Sequence, residues 1–186
     1  MKNKMCLILL LFTTYANAAD EKQLILESKQ SIKAFATQLK SQLQQGMKAG
    51  GPVNAINVCK NTAEEIAQQV SEKAGWEISR TSLKVRNSNN APDSWEKMIL
   101  RQFEQLKSHG ESVDNLEFSE IIKSGDETVF RYMKAIPTQG VCLSCHGADM
   151  SEEIVKTLHK HYPDDQATGF KLGDIRGAFS IIRKLN

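Results

Sequence analysis

Apolar positions near the start of the chain recur at helical spacing: Ile25, Ile32, Phe35, Leu39, Leu43 and Met47 follow at multiples of three and four residues. One buried face of a long helix, from about Glu21 to Met47, accounts for that period. Gly50-Gly51-Pro52 ends it, and Pro52 opens a second helix running to Gly75, with the stripe Ile56, Cys59, Ala63, Ile66 and Val70 facing inward. Trp76 to Val85 then alternates as a strand does. Asn89-Asn90-Ala91-Pro92-Asp93 starts a third helix, whose Trp95, Ile99, Phe103 and Leu106 point to the core and which Gly110 closes. Leu116 to Lys123 and Glu127 to Ile136 read as strands joined by a hairpin at Ser124-Gly125-Asp126. A short helix over Ser151–His161 and a strand over Ile175–Arg183 complete the pattern. Helices in front and antiparallel strands behind predict an α+β fold.

Into this pattern is set Cys142-Leu143-Ser144-Cys145-His146, followed by Gly147. Cys-x-x-Cys-His is the attachment sequence of a c-type haem. Two thiols spaced by a turn can add to the two vinyl groups on one porphyrin edge, and the next residue's imidazole then reaches iron. Half of a zinc site and a thioredoxin-type dithiol are the competing readings. A zinc ribbon needs a second close cysteine pair, and the redox motif needs a βαβ unit; the sequence supplies neither.

The amino terminus adds a compartment. Lys2 and Lys4 precede an apolar run from Met5 to Phe12, and Ala16-Asn17-Ala18 has the small-x-small form of a cleavage site. Residues 1–18 are therefore expected to be a signal peptide, and 19–186 a single exported, periplasmic domain. The run is far short of the ~20 apolar residues that span a bilayer. Loss of the leader removes two lysines and no acid, so 24 basic side chains fall to 22 and match the 22 acidic ones. No basic stripe remains to argue for nucleic acid.

The sixth iron ligand decides between electron transfer and an open, reactive site. Cys59 is the odd cysteine of the mature chain, on an inward stripe; as a sequence feature it reads equally as a small core residue or a ligand. Met98, Met133 and Met150 are axial candidates more at home as core filler, and His109, His159 and His161 lie near helix ends. Trp76, Trp95, Phe103 and Phe130 read as core, and Gly173-x-x-x-Gly177 as a place where the last strand passes close to haem or another backbone.

Several segments together resemble the c-type haem family with a PAS-like domain, found alone or as an exported sensor module. They are Asn54–Cys59, Arg80–Asn87, Asn90–Glu96, Val141–Gly147 and Gly173–Ser180. The resemblance covers nearly the whole mature chain. It implies a PAS-like antiparallel sheet carrying long N-terminal helices, one covalently attached haem c, and iron held by His146 on one side and the Cys59 thiolate on the other. Arg80, Arg86 and Arg176 lie in the matching segments; pairing with haem propionates or forming ordinary surface salt bridges is expected of them ahead of a part in peroxide cleavage. Ala135-Ile136-Pro137 departs from the family pattern, which has Pro-Ile before the haem motif. The function so implied is a low-potential cytochrome for electron transfer or for redox or gas sensing. Its redox partner is another protein, and any signalling requires a further chain. A peroxidase-like or reductase-type haem enzyme with an open distal site is the alternative.

Overall fold

The computed structural model describes residues 12–185, with side chains from residue 20 onward. Most of the predicted signal peptide lies outside the described residues.

The two predicted helices are the arms of one element, α1 (Phe12–Ala74), broken at Gly50 and Gly51. Gly51 takes φ 68°, ψ −162°, which a side chain would strain, so the chain reverses there. Arms 12–49 and 52–74 fold back on one another. Asn54 Nδ2 donates to Gly46 O at 3.0 Å across the hairpin.

Four strands form one antiparallel sheet in the order β1-β4-β3-β2. They are β1 (Glu77–Thr81), β2 (Glu117–Ser124), β3 (Glu127–Pro137) and β4 (Ile175–Lys184). The β2–β3 hairpin turns at the predicted place, with Gly125 at φ 60°. Ile32 and Phe35 of the first arm and Ile66 and Val70 of the second pack on Ile78, Phe130, Tyr132 and Ile181, one face of the sheet. Against the other face lies α2 (Ser94–Ser108), whose Ile99, Leu100 and Phe103 meet Met133, Ala135, Ile175 and Ala178. The period-2 alternation of β4 thus serves both layers. The result is the PAS-like α+β arrangement: hairpin, sheet, helix.

Asp93 caps α2 in a reciprocal box: its Oδ1 accepts from Glu96 N at 2.8 Å, and Glu96 Oε2 accepts from Asp93 N at 3.0 Å. Asn89 and Asn90, expected at the helix start, instead form a separate 3-10 turn, Ser88–Asn90. The strand expected over Trp76–Val85 stops at Thr81. Its termination is a side-chain substitution: Ser82 Oγ donates to Arg176 O at 2.8 Å and accepts from Lys84 N at 3.2 Å, standing in for the ladder. The chain then turns off the sheet and carries Arg86 away from it.

At the same end of the sheet the β3–β4 register shifts between Ile136 and Pro137, at the departure from the family pattern. Thr138 N donates to Asp174 O at 2.7 Å and Gly173 N to Thr138 O at 2.9 Å, tying the strand end to the start of β4. The haem motif follows immediately as α3 (Gly140–His146), and α4 (Glu152–His161) lies beyond it, capped by Ser151.

Candidate functional site

α3 places Cys142 and Cys145 one turn apart, on one side of the helix, with His146 next in the chain. Both thiols are free and half-buried. Gln139 N donates to Cys142 Sγ at 3.4 Å. Gly147 closes the helix by donating to Leu143 O at 2.9 Å. A Cβ at Gly147 would lie 2.6 Å from that oxygen, so this position has no room for a side chain.

His146 is held by the segment after α4. Its Nδ1 hydrogen-bonds to Ala167 O at 2.7 Å, which leaves Nε2 with the lone pair. Its main chain accepts from Phe170 N at 2.9 Å, and the Phe170 ring meets the imidazole edge-on, centroids 6.2 Å apart. Burial, with Arg176 and Arg86 nearby, pushes the imidazolium down to about 2, so the ring is neutral at ordinary pH. A neutral imidazole with its second nitrogen engaged is in the form a metal ligand requires.

Arg86 is a hub for the same segment. Its Nε donates to Asp165 Oδ2 at 3.0 Å, and its Nη2 donates to Cys145 O and, at 3.2 Å, to Ala167 O. Asp165 Oδ1 in turn accepts from Ala167 N at 2.8 Å. The ion pair is nearly dry, with side-chain exposures of 12% and 8%.

The second arm of α1 packs against α4 beside these groups. Ile56, one turn before Cys59, packs with Ile154 and Leu158 of α4 and with Cys145, Met150 and Tyr162. Burial pushes the Cys59 thiol up, while Arg80 and then Arg86 pull it down. Arg80 and Arg86 also bear on His146, and Cys59 bears on Cys145, so one electrostatic neighbourhood holds all of them. Arg176 joins it: burial, Arg86 and Arg80 bring its guanidinium down to about 10. All seven residues singled out from the sequence are therefore brought together. Arg86 has Asp165, but among the described residues no carboxylate forms an ion pair with Arg80 or Arg176. Arg80 lies over the Phe35 ring and Arg176 over that of Phe170, at 5.5 and 5.3 Å.

This donor set suits a haem c. It offers two thiols on one turn, a neutral imidazole beside them, a third thiol in the same electrostatic neighbourhood, and two half-buried guanidiniums with no carboxylate in an ion pair, as two propionates require. The zinc alternative finds no support: among the described residues no three His, Cys, Asp or Glu side chains form a metal-holding group. Of the other axial candidates, Met133 is fully buried on the α2 side and Met98 is exposed. His159 and His161 sit in the exposed last turn of α4, and His109 caps α2. Met150 alone of these packs beside Cys145. Gly177 is where the last strand passes close to another backbone, a Cβ there falling 2.3 Å from Thr81 O. Tyr162, Asp165, Ala167 and Phe170 escaped sequence reasoning. They lie in an aperiodic stretch, and Ala167 acts through a carbonyl that any residue has.

A family model described as Tll0287-like, Tll0287, matches residues 13–183. Among solved structures, the crystal structure of the cyanobacterial heme-protein Tll0287 superposes with a TM-score of 0.61 at 24% identity, covering 90% of this chain and 96% of that one. No curated protein matches the chain. The structural likeness carries the α+β fold, and the family model spans almost every described residue. The chain belongs to the Tll0287-like family.

Proposed function

We propose that this protein is an exported, low-potential c-type cytochrome carrying one haem, for electron transfer or for redox or gas sensing. Cys142 and Cys145 would hold the porphyrin covalently, and His146 and Cys59 would bind its iron. Arg80 and Arg176 receive the propionates. The observation that carries the reading is the convergence on one half-buried, cation-rich site of the attachment helix and of Cys59, more than eighty residues upstream in the chain. The solved structure that shares this fold, Tll0287, is a cyanobacterial heme-protein, which agrees with it. Bound haem supplies a one-electron iron couple.

The residues set how that couple behaves. A thiolate at Cys59 is an anionic, electron-rich donor and favours ferric over ferrous iron, which lowers the potential relative to a His/Met site. Burial raises the Cys59 thiol, and Arg80 and then Arg86 offset part of that rise in favour of the anionic sulfur. A Cys59 thiolate would hold reduced iron less strongly than oxidised iron, and this difference is what redox sensing at the site would use. Export rests on the amino-terminal sequence. Among the described residues no helix is long and apolar enough to cross a membrane.

Cys59→Ser in purified holoprotein tests the assignment. Its ferric absorption and electron paramagnetic resonance spectra should lose their thiolate features, with covalent haem retained. A spectrum identical to that of the parent would assign the sixth position elsewhere, with Met150 the next candidate to replace.

A further inference from the structure

The arginines at the site divide into two kinds. The Arg80 guanidinium makes no hydrogen bond among the described residues, and that of Arg176 makes one long contact, Nη1 to Lys84 O at 3.4 Å. Arg86 has Nε and Nη2 committed to the protein itself. Those commitments converge. One goes to Cys145 O, inside the attachment helix, and one to Ala167 O, the acceptor of the His146 imidazole. The third goes to Asp165, whose other oxygen fixes the Ala167 N–H. Gln166 N donates to Val85 O at 2.8 Å and Gly169 N to Gly147 O at 3.1 Å, so residues 165–170 form a strap between the Arg86 segment and α3.

We propose that Arg86 is a positioning residue for the His146 ligand: with Asp165 it fixes the Ala167 carbonyl that holds the imidazole, rather than serving as a propionate anchor. The inference rests on the reading that His146 binds iron. A planar guanidinium reaches three acceptors lying in different directions within one plane, which an ammonium does not. Donation of Nδ1–H to a fixed carbonyl raises the basicity of the other ring nitrogen and so strengthens its bond to iron. The Arg86–Asp165 pair is shielded from water, so loss of either partner leaves the other charge uncompensated and slackens the strap.

The test compares Arg86→Gln, Arg86→Lys, Asp165→Asn and the Arg86→Gln/Asp165→Asn double variant as purified holoproteins. Arg183→Gln, which breaks the Glu27 ion pair on the helical hairpin, is the control. Covalent haem is quantified first by the pyridine haemochrome spectrum, then the midpoint potential and the ferrous iron–histidine stretching band are measured. Arg86→Gln and Asp165→Asn should each raise the potential and lower the stretching frequency. The double variant should shift no further than the larger single, Arg86→Lys should recover part of the shift, and Arg183→Gln should move neither. Unmoved band and potential in haem-loaded Arg86→Gln, or full additivity in the double variant, would overturn the proposal. If Arg86→Gln does not accumulate, Asp165→Asn decides by the same two readouts, because its amide oxygen still accepts from Ala167 N while the charge is gone. Wild-type protein without covalent haem would sink the functional reading instead.

Discussion

Gly46 and Ala55 touch across the helical hairpin, so closely that a Cβ on Gly46 would lie 2.9 Å from Ala55 Cα. Backbones come this near only where one residue has no side chain. Cys59 follows Ala55 by one helical turn on the same arm, so this crossing sets how far the thiol stands from the attachment helix.

Gly46→Val should therefore act on both stability and site. The added branch meets backbone, which cannot move aside alone, and overpacking of this kind costs about 1–3 kcal/mol. Denaturant melts should show that loss. The holoprotein's ferric spectrum should shift toward that of Cys59→Ser, as the second arm is pushed away. A melt within error of the parent would mean the arms separate freely.

Asp93 gives a pH dependence with a defined sign. Burial would raise its carboxyl, but the Glu96 N–H and the Arg131 guanidinium, 2.7 Å away, outweigh this and hold it below the usual carboxylate range. A group whose folded pKa is depressed adds stability above its unfolded value and loses it as pH falls through the folded one. Asp93→Asn keeps an acceptor for Glu96 N but loses the ion pair, so it should be less stable than the parent at neutral pH. The gap should close as pH drops below about 4, the unfolded value. Asp93→Ala removes the cap as well, at about 0.5–2 kcal/mol. A parent-to-Asn gap independent of pH would refute the ion-pair contribution.

Local chemistry made much of this legible beforehand. Gly50-Gly51-Pro52 announced the hairpin, Gly125 the β-turn, and the segment ending at Pro92-Asp93 the start of α2, because each works within a few residues of itself. Cys142, Cys145 and His146 carried their chemistry in their spacing. What stayed hidden depends on distant chain. Ser82 ends β1 through Arg176, ninety-four residues later, and an alternating pattern cannot encode that. Arg86 looked like its two companions until Asp165 and Ala167 came beside it, about eighty residues on.

Gly177→Ala offers a contrast of position. The new Cβ would fall 2.3 Å from Thr81 O and 3.1 Å from Ser82 Cβ, so β4 must lift from the turn that Ser82 makes with Arg176. Stability should fall by about 1–3 kcal/mol. Gly140→Ala, whose Cβ would meet nothing within 4 Å, should leave the melt unchanged or raise it by up to about 1 kcal/mol. Equal melts for the two variants would show that the β4 approach is looser than the geometry gives.

Arg80 and Arg176 should show opposite effects in the haem-free and haem-bound protein. Without propionates they are half-buried cations beside a third, Arg86, with Asp165 the carboxylate in an ion pair there, and partial burial and mutual repulsion already bring Arg176 down to about 10. Arg176→Gln then relieves repulsion at the expense of a contact with the Phe170 ring, worth about 0.5–1 kcal/mol. The haem-free variant should melt at or above the parent, since each kcal/mol gained raises Tm by roughly 2–4 °C in a chain of this length. The holoprotein should melt below its parent, because the propionate loses its partner while still buried. Arg80→Gln should follow the same pattern, whereas Arg86→Gln should melt lower in both forms, as its ion pair is internal to the protein. Calorimetry of matched haem-free and haem-bound samples decides it: a fall in both forms for Arg176→Gln would assign that side chain to the scaffold and leave Arg80 the remaining candidate for the propionates.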